Sequence, residues 1–184
     1  MSRGGCAFST DSEIRPGDQA CLDWNAAAMN EILADHPDFV FTMATRDLRA
    51  GHTERTPPGF VAQWRRLDTE NIRVLAVRDN PRFTTSPGAC VEAHGADDPR
   101  CDTPRSDLLT EEAPYESMSD IPSNVTFLDF SDSYCGPAIC PAVVGNVLVY
   151  KDDNHVSATY VATMVGVITR AIDDALVPYG AGPS

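Results

Sequence analysis

Apolar residues recur along this chain in two rhythms, one suited to helices and one to strands. In CLDWNAAAMNEILADH (21–36), Trp24, Ala27, Ala28, Glu31 and Ile32 fall at helical spacing, and the alanines favour that helix. PDFVFTMAT (37–45) then reads as a buried strand. PPGFVAQWRRLD (57–68) predicts a second helix, entered through its proline pair, with Phe60, Val61, Trp64 and Leu67 as the apolar stripe. IRVLAV (72–77) predicts a second strand, and VTFLDF (125–130) and VVGNVLVY (143–150) two more. Segment 79–123 is proline-bearing and loop-rich, with one short helix near 87–94. From Ser157, a suitable N-cap, to about Leu176 a last helix closes the pattern.

Helices alternating with continuous apolar strands predict an α/β fold, its mostly parallel sheet covered on both faces. Functional residues in such sheets collect at the carboxyl ends of the strands. MATRD, VRDNPR, LDFSDSYC and VYKDDNH all sit at such ends, so they are considered together.

Composition narrows the function. A chain of 184 residues, 42% apolar, suffices for one α/β domain with a substantial core. The net charge is −13 and the 14 basic residues form no block; WRRL (64–67) reads as the wet face of a helix. Nucleic-acid binding needs a basic footprint and is excluded. Simple adhesion to anionic lipid is disfavoured for the same reason.

The cysteines fall as Cys6/Cys21, Cys90/Cys101 and Cys135/Cys140. Zinc sites use tighter spacing and recruit histidines, whereas His36, His52 and His94 lie in dissimilar contexts. Three short-loop disulfides are the expectation, although six cysteines permit many connectivities. Disulfides imply an oxidising compartment, yet MSRGGCAFSTDSEIRPGD has no apolar signal region. Residues 160–172 are too short for the roughly 20 apolar residues of a membrane span and carry Arg170. Either the cysteines are reduced, or the part that carried the domain across a membrane is missing.

VLVYKDDNHVSATY (147–160) holds the sharpest candidate chemistry. Asp152 and His155 stand three apart where an apolar strand gives way to a helix. A near-neutral base oriented by a carboxylate is what an activated serine requires. The plain alternative is a solvated loop histidine.

Asp152-x-x-His155, followed by Val156-Ser157 and a terminal helix, resembles the last block of the SGNH (GDSL-like) hydrolase superfamily. FLDFSDSYCGPAICPAVVGNVLVYKDDNHVSATYVATM (127–164) resembles, more specifically, the extracytoplasmic SGNH domains fused to bacterial acyltransferase-3 membrane proteins. FVFTMATR (39–46), VLAVRDNPRF (74–83), Cys6, Cys21-Leu-Asp-Trp24 and the cysteine pairs extend that resemblance over nearly the whole chain.

The resemblance implies a single domain over 1–184 with a flavodoxin-like, three-layer α/β fold. It implies His155 as general base, Asp152 as its carboxylate partner, no cofactor, a cell-surface carbohydrate acceptor and an acyltransferase-3 membrane domain as partner. The family's nucleophile lies in Gly-Asp-Ser, which these residues lack: Gly17-Asp18 is followed by Gln19. Ser9, Ser86, Ser131 and Ser133 have no strand-turn-helix setting and are not promoted to that role. Asn80 is a candidate cleft donor, against a turn-forming Asn-Pro. Arg46 and Arg78 are candidate contacts to an anionic or sugar substrate, against ordinary surface arginines.

Because the resemblance begins at Cys6, the sheet is expected to lack its first one or two strands, roughly 35 residues by ordinary element lengths. The apolar strand at 38–44 would then be a bare edge, and the isolated chain would have little or no acyl-transfer activity. A non-catalytic carbohydrate-binding or structural domain of the cell surface is the alternative, and an esterase with a relocated serine a third reading.

Overall fold

The computed structural model describes residues 3–12, 15, 17–46 and 53–177. In chain order the helices and strands are α1 (Gln19–Asp35), β1 (Phe39–Met43), α2 (Pro58–Asp68), β2 (Arg73–Val77), α3 (Pro87–His94), β3 (Thr103–Pro104), β4 (Val125–Leu128), α4 (Ser131–Tyr134), β5 (Ile139–Cys140), β6 (Val143–Val144), β7 (Val147–Leu148) and α5 (Ala158–Leu176). The class is α/β with a parallel sheet, as the apolar rhythm predicts. Among the described residues, one compact unit takes those up to Arg46, Arg55–Val77 and Pro114–Phe127. A second takes 53–54, Arg78–Ala113 and the residues from Leu128 on.

The first unit is built on the sheet β1-β2-β4. β1 and β2 pair in parallel, from Phe39 opposite Arg73 to Met43 opposite Val77, and the crossover between them contains α2. Val74 N–H donates to the Asn124 carbonyl at 2.9 Å, which brings in β4. Asp18 caps α1 by accepting from the Cys21 N–H at 3.1 Å. The helix ends at His36 in the left-handed region (φ 44), just before Pro37, where a helix cannot continue.

The α2 stripe buries as its spacing predicts: Phe60, Val61, Trp64 and Leu67 are all removed from solvent. Trp64 meets Phe127 edge-on at 5.8 Å, and Tyr115 stacks on Phe127 at 3.8 Å. Buried Asn124 satisfies its amide on the carbonyls of Trp64 (3.2 Å) and Ile72 (2.8 Å), tying α2 to the start of β2. The outer edge of β1 has no strand partner among the described residues, and Phe41 on that strand is 52% exposed.

The second unit departs from the sequence expectation at one element. Residues 143–150 do not form a strand of the parallel sheet. They fold back as the antiparallel hairpin β6-β7, with Val143 opposite Leu148. Gly145 (φ 55) and Asn146 (φ 64) both adopt left-handed backbone, the requirement of a tight primed turn. The Gly-Asn dipeptide outweighs the apolar run around it.

Elsewhere in this unit β3 pairs antiparallel with β5, and Cys135–Cys140 closes the loop leading into β5. Ser131–Tyr134 forms the single turn of α4. Cys90–Cys101 ties α3 to the turn at Pro99–Cys101. Ser157 caps α5, as expected, by accepting from the Tyr160 N–H at 3.1 Å. Among the described residues no helix is long and apolar enough to cross a membrane.

Candidate active site

The Asp152–His155 loop leaves the hairpin and returns to the cap of α5 through its own closures. Tyr150 and Val156 form an antiparallel bridge, Lys151 N–H donates to the His155 carbonyl at 3.0 Å, and Ser157 N–H donates to the Val149 carbonyl at 2.8 Å. Within it Asp152 makes the local turn that a short acidic side chain favours. Its Oδ1 accepts the backbone N–H groups of Asn154 (3.0 Å) and His155 (2.7 Å).

His155 Nδ1 lies 2.9 Å from Asp152 Oδ2 and 3.0 Å from Oδ1. An ionised carboxylate only accepts, so Nδ1 carries the donated proton and Nε2 is left as the basic nitrogen. Nε2 has no hydrogen-bond partner among the described residues. The His155 side chain is 66% exposed and that of Asp152 39%. Partial burial works against ionisation of Asp152, but the Asn154 and His155 amides and the imidazole outweigh it and hold the carboxyl below its ordinary range.

Asn80 is half-buried beside the Asp152–His155 loop. Its amide nitrogen donates to the carbonyls of Asn154 (3.0 Å) and Pro81 (3.2 Å) and lies 3.4 Å from the Tyr150 hydroxyl. Tyr150 is buried and packs edge-on against Phe83 at 4.8 Å.

The surface reading of Arg78 is overturned. Its side chain is 2% exposed, and its guanidinium bonds Glu54 through Nε (3.0 Å) and Nη2 (2.8 Å), Asp129 through Nη1 (3.1 Å) and the Thr110 carbonyl through Nη2 (3.1 Å). Burial opposes its charge, yet Glu54 and Asp129 hold it above the ordinary arginine range. Burial likewise opposes ionisation of Asp129, but Ser131 and Arg78 hold that carboxyl low.

Nothing in sequence spacing joins Arg78 to Glu54 and Asp129. The only available signal was a charged residue directly after each of two apolar strands. Tyr134 carries a similar imprint: burial first, and then the negative charge of Asp79, push its hydroxyl up to about 12.

Arg46 belongs to the other unit, where its backbone pairs both ways with Arg55 at 2.8 and 2.9 Å. Among the serines, Ser9 is buried and accepts the Asp11 N–H at 3.1 Å, and Ser86 caps α3 through the Ala89 N–H at 3.2 Å. Ser131 opens α4 with its N–H on Asp129 Oδ1 (2.8 Å), and the Ser133 carbonyl accepts the Tyr160 hydroxyl. Among the described residues of the second unit, no serine hydroxyl hydrogen-bonds His155. The six cysteines form the three local disulfides Cys6–Cys21, Cys90–Cys101 and Cys135–Cys140. His52 lies outside the described residues.

An α/β fold with a carboxylate-backed histidine just ahead of its last helix defines a class also visible in sequence. Residues 1–170 match the family described as "SGNH domain (fused to AT3 domains)", and the chain belongs to that family. Among solved structures, the periplasmic domain of a lipopolysaccharide acetyltransferase from Salmonella ser. Paratyphi A shares the fold, with a TM-score of 0.54 at 14% identity. That likeness covers 89% of this chain and 68% of the other. No curated protein matches the chain by sequence.

Proposed function

We propose that this chain supplies the histidine and aspartate of a serine-type acyl-transfer site that works on acyl groups of cell-surface carbohydrate. The observation that carries the reading is the Asp152–His155 pair: Nδ1 engaged by a carboxylate at 2.9 Å and Nε2 unengaged among the described residues. His155 Nε2 takes the proton of a serine hydroxyl as its oxygen attacks the acyl carbonyl carbon. Asp152 balances the imidazolium, which then protonates the leaving oxygen. In the second half, a sugar hydroxyl or water gives its proton to Nε2, attacks the acyl-serine and releases the enzyme. The chemistry draws on no cofactor.

On this reading the hydroxyl served by His155 is the serine of the family's Gly-Asp-Ser, a tripeptide that these 184 residues do not contain. The two compact units act as one domain, and its partner is the acyltransferase-3 membrane domain named in the family description. Three disulfides and the periplasmic origin of the structural neighbour support an extracytoplasmic setting, since disulfides persist where thiols are oxidised.

The test is to express the chain together with whatever polypeptide its gene encodes ahead of residue 1. Acetyl release from an activated ester and acetyl transfer to envelope polysaccharide are then assayed. Turnover lost in His155→Ala supports the reading. Turnover unchanged in that variant, or carbohydrate binding with no turnover by the parent, overturns it.

A further inference from the structure

One continuous stretch, residues 80–88, grips the Asp152–His155 loop by its carbonyl oxygens. Asn80 Nδ2 donates to the Asn154 carbonyl at 3.0 Å, and Phe83 N–H donates to the Asp153 carbonyl at 2.8 Å. At Gly88 the backbone comes so near that a Cβ there would lie 2.9 Å from the Lys151 oxygen.

Peptide planarity turns these grips into aim. The Asn154 carbonyl and the His155 N–H are opposite ends of one rigid trans peptide group, so fixing the oxygen fixes the direction of the N–H. The Asp153 carbonyl and the Asn154 N–H belong to the preceding group in the same way. Both N–H groups converge on Asp152 Oδ1, at 2.7 and 3.0 Å, and that carboxylate faces the imidazole.

We infer that Asn80 is a positioning residue: with the Phe83 N–H it sets the two peptide planes that hold the Asp152 carboxylate against His155. The candidate cleft donor is thereby reassigned, because its amide donors are spent on the Asn154 carbonyl of the loop and on the Pro81 carbonyl. The inference rests on the proposed function only for its importance to acyl transfer; the positioning itself is measurable without substrate.

Amide hydrogen exchange of the chain, read by NMR, tests it. In Asn80→Ala the Asn154 and His155 amides exchange about fivefold faster or more, the equivalent of one ordinary hydrogen bond, while α5 amides keep their rates. The Asp152 carboxyl carbon then titrates closer to an ordinary aspartate. Gly88→Ala is a second, independent variant, because alanine favours α3 while its methyl presses on the Lys151 carbonyl; the same two amides lose protection.

Unchanged exchange at both amides in Asn80→Ala, or a loss spread evenly through α5, overturns the inference. If Asn80→Ala does not fold, Gly88→Ala decides by the same criteria. Because no substrate is present, this result and the fate of the acyl-transfer reading are separable.

Discussion

Arg78 and Glu54 face each other at 2.8 Å with only 2% and 3% of their side chains exposed. A buried guanidinium is tolerated because its donors are used: Glu54 twice, Asp129, and the Thr110 carbonyl. Breaking such a pair by removing one partner strands the other charge. Arg78→Ala or Glu54→Ala is therefore expected to cost about 3–5 kcal/mol, measured by urea unfolding. Arg78→Met combined with Glu54→Leu leaves no orphaned charge at either position, so that pair of changes costs less than the sum of the two alanine variants.

Asp152→Asn keeps the side-chain shape but replaces a carboxylate oxygen by a donor next to Nδ1. The imidazole must then accept at Nδ1 and carry its proton on Nε2, the wrong tautomer for a base. In the enzyme proposed above, acyl transfer falls by roughly 10⁴-fold, while thermal unfolding changes little. Steady-state kinetics on an activated ester checks this.

The same carboxyl gives the loop an acid limit. Asp152 is depressed in the folded chain, so its contribution is complete above the unfolded value of about 3.9. It is lost as pH falls through the lower folded value. Protection of the Asn154 and His155 amides should hold from neutral pH down to about 4 and decline below it. Asp152→Asn should abolish that decline.

Cys90–Cys101 closes an 11-residue separation and anchors α3, which carries Gly88. Replacing both by serine is expected to cost about 2–3 kcal/mol by relieving the unfolded chain of a short-loop constraint. The free-energy difference in denaturant tests it.

Asn146 occupies left-handed backbone (φ 64) in the β6-β7 turn. Asn146→Val sets a β-branched side chain against that conformation, at a cost of about 1–2 kcal/mol. Asn146→Gly is tolerated. Melting temperatures of the two variants measure the difference.

Much of this architecture was legible from residue order. The α2 stripe, the short α3, the cap at Ser157 and the adjacency of Asp152 to His155 are all local, and local spacing reports them. The hairpin at 143–150 is hidden from periodicity because its valines match a buried strand, although Gly145-Asn146 inside the run is a turn signal. The burial of Arg78 is hidden for a different reason. Its partners Glu54 and Asp129 lie far along the chain in opposite directions, and only the fold brings them together. Asn80 shows the limit of motif reasoning: Asn-Pro is a turn signal, yet residues 78–83 form no turn, and its amide is held by a loop 74 positions later.

The three disulfides span separations of 15, 11 and 5 residues, and each links the cysteine that comes next in the chain. Loop closure favours short separations, so on average the first partner a thiol meets is its native one. Oxidation can proceed in order from the amino-terminal pair onward while later segments are still unfolded. Maturation of this chain therefore needs an oxidant, but little reshuffling of mispaired bonds.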